Sequence, residues 1–353
     1  MFGPWLRRRA RRAPARRPSF RLEALEDRAT PAVINVGPGL AFTTIQAGVN
    51  AANPGDTVMV AAGTYAENVT VNKSLTLIGA NNTNPVPGRS GPESIVEPGT
   101  SSSYNTSSIF TVTANDVTIE GFTIRGSLTG AVPAGQSAGF ALASGVTVYA
   151  AAGVSNSTDV STGGSSPSTT NVSGLVVRND VVQDFTQVGV YGDTSDGTVS
   201  TGNTIADNVI SDVPNNGQGG YYGEGVIIYD DFYADVTGNK ITDVRTGIQT
   251  GNNHLSAGSF TPSISDNTVS ATVKGVYYNL QYQSASPFTI SGNTITQFDA
   301  SVSPAYSVGL LIQSIQGSVQ STIQGNNVSG FRYGVEFAGN DTTSTVTVQG
   351  AAR

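Results

Sequence analysis

One asparagine recurs through the second half of the chain in fixed register with aliphatic residues, and few folds accommodate such a pattern. Aligned on Asn179, Asn208, Asn239, Asn267, Asn293 and Asn326, the intervals are 29, 31, 28, 26 and 33 residues. Three residues before each stands Val176, Ile205, Val236, Ile264, Ile290 or Ile323, and two after stands Val181, Ile210, Ile241, Val269, Ile295 or Val328. A glycine follows 8 to 17 residues later (Gly189, Gly225, Gly247, Gly275, Gly309, Gly334), each with an aliphatic behind it. Every repeat thus offers three short strands, before the asparagine, after it and after the glycine. Stacked turn on turn, they form a solenoid of parallel sheets. Coils about 4.8 Å apart place identical side chains above one another, so asparagine amides bond their copies in a column. The glycine is expected to supply a backbone conformation that other residues resist at the next corner. Both markers are structural on this reading.

The front half follows the scheme less regularly. "NDVTIEGFTIRG" puts Ile119 and Ile124 at the aliphatic positions with Phe122 in the ladder slot, and "SGVTVYA" supplies Gly145 and Val146. Long loops are expected near residues 81–105, rich in Pro and Gly, and 150–173, which is low-complexity. In "FTTIQAGVNAANPGD", Phe42, Ile45 and Val49 have helical spacing that ends at Asn53 and Pro54, which predicts a short helix covering the first coil. At the other end Val348 reaches the slot before the asparagine and Ala351 replaces it, so an uncapped last coil is expected to meet further coils or another chain.

Composition agrees with many short strands and polar turns: 42 glycines and 12% charged residues. The net charge of −7 hides a split, because residues 1–30 carry nine Arg against Glu23, Glu26 and Asp27, leaving −13 for the remainder. That acidic remainder disfavours nucleic acid as a partner. The absence of cysteine excludes disulfides, thiolate metal sites and a cysteine nucleophile, and the single His254 excludes a multi-histidine metal site. No apolar run is long enough for a transmembrane helix.

Residues 1–32 read as a basic, disordered targeting segment whose end, "LEALEDRATPA", resembles a tag at the start of exported bacterial surface proteins. Residues 33–353 read as one parallel β-helix domain. The stretch "FTTIQAGVNAANPGDTVMVAAGTYAENVTVNKSLTLIGA" resembles the opening of right-handed parallel β-helix proteins of the pectin lyase-like superfamily, and the "GNTIT…GV" coils are similar to its repeat units. The resemblance implies an all-β, right-handed parallel β-helix. It leaves activity open among lyases, esterases, glycosidases, epimerases, copper-insertion factors and adhesins. Esterase members use two Asp and an Arg, the glycosidases a group of Asp with Gly-His-Gly, and the lyases a Lys or Arg base with Ca²⁺. None of those motifs is intact in this sequence, and His254 sits in a turn segment, "GNNHLS".

Three residue groups are candidates for chemistry. Glu224, Asp230, Asp231 and Asp235 lie close in register to Asp193 and Asp196 of the preceding coil, and Asp193, Asp230 and Asp231 are the candidate Ca²⁺ ligands, against an ordinary role as solvated turn formers. Lys240, Arg245, Lys274 and Arg332 are expected on one edge between second and third strands. Lys240 and Arg245 are the candidate catalytic pair for removing a proton next to a carboxylate, the alternative being plain surface charge. On the third strand, alternation turns Tyr191, Gln249, Tyr277 and Glu336 outward, followed by Asp193, Tyr229, Asn279 and Gln313, a mixture suited to stacking on sugar rings. Strand propensity of Tyr explains it equally. The reading favoured by the sequence is a secreted or cell-surface bacterial module that binds polysaccharide or a cell-envelope glycan, or serves as a scaffold, without catalysis. The alternative is a uronic-acid polymer lyase, pectin esterase or epimerase.

Overall fold

The computed structural model describes residues 30–99, 108–126, 150–157, 160, 169–185, 187–194, 198–213, 223–251, 262–279, 288–298, 306–313, 320–339 and 345–349. His254, Asp196, Gly145, Val146, Ala351 and much of the expected loops fall outside these residues. Pro31–Arg353 forms one compact unit.

Among the described residues every strand pairing is parallel, apart from an isolated antiparallel bridge between Ser157 and Thr169. First strands of the coils make an 11-stranded sheet that runs in chain order from Val33–Val36 to Thr345–Gln349. Second and third strands build a separate sheet. In two coils they are continuous, as Lys240–Gly251 and Thr268–Asn279, where the sequence pattern predicts two short strands with a corner. Small register shifts near Val244 take up the bend in these long strands.

The interior is a single apolar column. Val58, Leu77, Ile119, Val177, Ile205, Val236, Ile264 and Ile290 enter it from the first strands. Val182, Ile210, Ile241, Val269 and Ile295 enter from the second, and Val190, Val226, Ile248, Val276 and Leu310 from the third.

The amide ladder runs along this interior. Nδ2 of Asn208 donates to Oδ1 of Asn239 at 3.0 Å, Asn239 to Asn267 at 3.0 Å, Asn267 to Asn293 at 2.9 Å and Asn293 to Asn326 at 2.8 Å. Each acceptor oxygen also takes the main-chain N–H of the preceding asparagine at 3.0 Å. The ladder therefore satisfies main-chain groups at a buried bend, where an unpaired N–H is costly.

Asn179 does not belong to it. The slot is held by Asp180, whose N–H donates to Asn208 Oδ1 at 3.0 Å and whose Oδ1 accepts from Phe122 N at 2.8 Å. The aliphatics of this coil are accordingly Val177 and Val182, both fully buried, and not Val176 and Val181. Asn179 instead adopts a φ of 52° and ties down the preceding loop, accepting from Val86 N at 3.0 Å and donating to Asn82 O at 2.9 Å. Burial pushes the Asp180 carboxyl at this end of the ladder well above its usual range.

The third-strand glycines also act differently from the expectation. Gly189, Gly225, Gly247, Gly275, Gly309 and Gly334 all lie outside the left-handed region. For all but Gly334 the reason is space: a Cβ on Gly189 would stand 2.6 Å from Ile210 Cγ2 and 2.7 Å from the carbonyl of Gly225. The glycine lets the third strand close onto the second-strand aliphatic. Left-handed backbone occurs one residue before the ladder, for example at Gly238 with φ 68°.

The predicted helix spans Ile45–Ala51 and buries Ile45, Gly48 and Val49 against the first coil. Seven residues are too few for intrinsic stability, and neighbouring coils supply the caps. Thr44 Oγ1 accepts from Ala47 N at 3.2 Å, while the Glu67 carboxylate accepts from Ile45 and Gln46 N at 2.8 and 3.0 Å. At the other end Lys73 Nζ donates to the carbonyls of Val49, Asn50 and Ala52 at 3.1, 2.8 and 2.7 Å. The Gln46 amide pairs with both main-chain groups of Thr70, covering the edge of strand Val69–Val71.

Candidate functional site

The third strands carry three outward columns, fixed by register. Immediately before the glycine come Val188, Glu224, Thr246, Lys274, Val308 and Tyr333. Two residues after it come Tyr191, Ile227, Gln249, Tyr277, Leu311 and Glu336. Beyond these, Tyr229, Gly251, Asn279 and Gln313 align. Tyr191, Gln249 and Tyr277 thus share one outward column, and Tyr229, Asn279 and Gln313 the next, as alternation requires.

The stripe is not uniformly accessible. Tyr191 is fully buried in a second apolar cluster with Ala151, Ala152, Val160, Val188 and Ile227, so it serves an outer packing layer and not a contact surface. Tyr229 borders this cluster, edge-on to Tyr191 at 6.0 Å between ring centroids. Gln249, Tyr277, Asn279 and Gln313 are half-buried. Two phenol–amide bonds order them: Gln249 Nε2 donates to Tyr229 Oη at 2.6 Å, and Tyr277 Oη donates to Gln313 Oε1 at 2.7 Å. Asn279 Oδ1 is buried without a hydrogen-bond partner.

At the upstream end of the stripe lies a charged group. Arg245 Nη1 stands 3.6 Å from Glu224 Oε1, and Lys274 Nζ sits 3.7 Å above the centre of the Tyr277 ring. The Glu224 side chain is 1% exposed and its Oε2 has no hydrogen-bond partner. Burial pushes this carboxyl up to about 8, against the opposing pull of Arg245 and Lys274. Burial likewise brings the Lys274 amine down to about 8, helped by the nearby Arg245 charge and opposed by Glu224.

Lys240 does not join this group. It is exposed at the start of the second strand, in register with Val209 and Thr268, whereas Arg245 lies at the bend into the third. The structure thus brings Arg245 together with Glu224 of the preceding coil and Lys274 of the following one, and does not bring Lys240 to them. Arg332 stands further along the axis, 5.5 Å from the Tyr333 ring centre. The signal for Glu224 and Lys274 was their place directly before the third-strand glycine, a column otherwise filled by Val, Thr and Tyr.

The acidic candidates separate as well. Asp193 and Asp230 are both buried and face each other. Burial, then the Asp230 charge, pushes Asp193 up to about 7, and its Oδ2 accepts from Tyr191 Oη at 2.9 Å. Asp231 turns elsewhere, its Oδ1 accepting from Tyr233 Oη at 3.3 Å, and Asp235 is exposed and accepts from Ser263 N and Oγ. No group of three His, Cys, Asp or Glu side chains able to hold a metal ion occurs among the described residues. Of the candidate Ca²⁺ ligands, Asp193 and Asp230 thus lie together, while Asp231 also bonds Tyr233. No helix among the described residues is long and apolar enough to cross a membrane.

Residues 223–347 match the model of a family described as a protein of unknown function, DUF1565. No curated protein matches. Among solved structures the chain is similar to the pectate lyase Pel9A, with 13% identity and a TM-score of 0.53 over 92% of this chain and 79% of that one. An alginate lyase from Paenibacillus sp. aligns at 12% identity and TM-score 0.43, covering 90% of this chain and 98% of the enzyme. A capsular polysaccharide depolymerase, tailspike gp49 of Acinetobacter baumannii bacteriophage Fri1, aligns at 9% identity and TM-score 0.42, covering 91% and 63%. The chain has the right-handed parallel β-helix fold.

Proposed function

We propose that the outward face of the third strands binds a polysaccharide. The observation that carries this reading is the pair of phenol–amide bonds, Tyr229–Gln249 and Tyr277–Gln313, which present rings and amides in fixed orientation on neighbouring coils. Side chains already held in place lose little freedom when a glycan binds. The likeness to the pectate lyase Pel9A supports a glycan ligand. An exported, envelope-associated location belongs to the same proposal and rests on the Arg-rich N-terminal segment. Retardation of the protein in gels cast with different polysaccharides tests the binding. Retardation that Tyr277→Ala weakens supports the reading, and equal retardation of both proteins by every polymer, or none, refutes it.

A second reading, catalysis on uronic-acid polymers, is favoured by one observation: an acid and an amine, Glu224 and Lys274, both brought to about 8 in the same group. Absorbance of unsaturated product from pectate or alginate, lost in Lys274→Ala and Arg245→Ala, would establish it. Absence of product with every uronic-acid polymer would leave binding alone.

A further inference from the structure

Glu224, Arg245 and Lys274 have a charge balance that glycan binding as such does not need. One carboxyl faces two cations. Arg245 approaches it at 3.6 Å, too far for a hydrogen bond, and the other carboxyl oxygen is buried without a partner. The Lys274 ammonium rests on the Tyr277 ring. The groups packed around Glu224 complete the inventory. Upstream, its N–H and that of Gly223 donate to the Gln187 carbonyl, which carries no charge. Downstream lie Arg245 and, one coil further, Lys274, while Tyr229 stands on its own strand. The charges that act most strongly on Glu224 are those of Arg245 and Lys274.

We propose that Arg245 and Lys274 grip the anionic substituent of an acidic glycan, a carboxylate or a sulfate ester, and that Glu224 regulates this grip by gaining or losing a proton. The inference rests on the third strands being a glycan-binding face and names the ligand's charge and its control. With Glu224 neutral, the group carries two uncompensated positive charges, and an anion bound there replaces solvent around cations that are already partly desolvated. With Glu224 ionised, the carboxylate neutralises Arg245 from beneath. Lys274 loses its own charge over the same range, since its amine is brought to about 8 like the Glu224 carboxyl. The group thus passes from two positive charges to none as pH rises through this region. Glu224 acts here through its neighbours and is a positioning residue.

The test measures binding of the full chain to polygalacturonate, dextran sulfate and neutral dextran at about pH 6.5 and about pH 9.5, where one unit of pKa corresponds to a tenfold change in affinity. The expected result is retention by one or both acidic polymers and not by dextran, with affinity falling at least about tenfold between the two pH values. Glu224→Gln should bind as well as the wild type at the lower pH and lose only part of that affinity at the higher one. Glu224→Gln combined with Lys274→Arg should bind nearly independently of pH, a rescue that a merely structural role for Glu224 does not give. Lys274→Met, which leaves the ladder and core untouched, should bind weakly at both values.

Equal retention by dextran and the acidic polymers, weakened by Tyr277→Ala, would overturn the anion site while keeping the glycan-binding face. Retention by none of the three would overturn both. A Glu224→Gln protein with the wild-type pH profile would overturn the proton control. The two acidic polymers separate carboxylate from sulfate as the anion recognised.

Discussion

Asn267→Ala removes one rung from the middle of the amide column, and the structure allows the cost to be worked out. Asn267 Oδ1 accepts from Asn239 N and Asn239 Nδ2, both at 3.0 Å, and its Nδ2 donates to Asn293 Oδ1 and Val236 O, both at 2.9 Å. The Asn239 N–H is left as a buried orphan, which costs about 2 kcal/mol, and the other three bonds contribute about 1 kcal/mol each, so the loss is about 5 kcal/mol. Asn326 ends the column and is half-buried, so water replaces much of what Asn326→Ala removes, and about 1 kcal/mol is expected there. Urea denaturation followed by circular dichroism compares the two variants in one background. Equal losses, within about 0.5 kcal/mol, would refute the view that the ladder stabilises by satisfying buried main-chain groups.

Two further stability outcomes follow from the corrected register. Gly189→Ala, with its Cβ against Ile210 and the Gly225 carbonyl, should cost about 1–3 kcal/mol, whereas Gly334→Ala, with nothing within 4 Å, should be neutral or slightly stabilising; both are read from denaturation midpoints. Asp180→Asn should stabilise the protein above neutrality. The folded-state pKa of Asp180 is raised, so its contribution is fully present below the ordinary carboxylate value and is lost as pH rises through the folded value, and the amide removes that dependence. Denaturation of both proteins at about pH 5 and about pH 8 checks it, and parallel profiles would count against a raised Asp180.

The solenoid was legible in the sequence because its signal is redundant: each coil repeats an aliphatic–asparagine–aliphatic frame, and an error in one coil leaves the others unaffected. The error that did occur shows what the pattern lacks. Asn179–Asp180 is flanked by Val176–Val177 and Val181–Val182, so a one-residue slip keeps Val at every aliphatic position. Only the pairings Val177 with Ile205 and Val182 with Ile210 decide it. The glycine was located correctly and explained wrongly, because the close approach to Ile210, Ile241 or Val269 lies between coil faces and has no trace in local sequence. The candidate site was legible by column and not by occupant. Alternation gives the outward direction of Tyr277 and Gln249, but Tyr191 is buried in an outer cluster with Ala151, Ala152, Val160, Val188 and Ile227, which alternation does not show.

The same architecture explains why the site can be altered without disturbing the fold. The ladder, the aliphatic columns and the glycines all point inward or along the interior, and each coil rests only on its two neighbours. Glu224, Arg245, Lys274 and Tyr277 lie on the opposite surface of strands whose inward residues Val226, Ile248 and Val276 are fully buried aliphatics. A change in the outward column therefore leaves every inward contact of its coil in place. Loss of glycan binding in Lys274→Met with an unchanged denaturation midpoint is then evidence about the site alone, and the opposite pattern, a lowered midpoint with binding intact, is what a ladder variant should show.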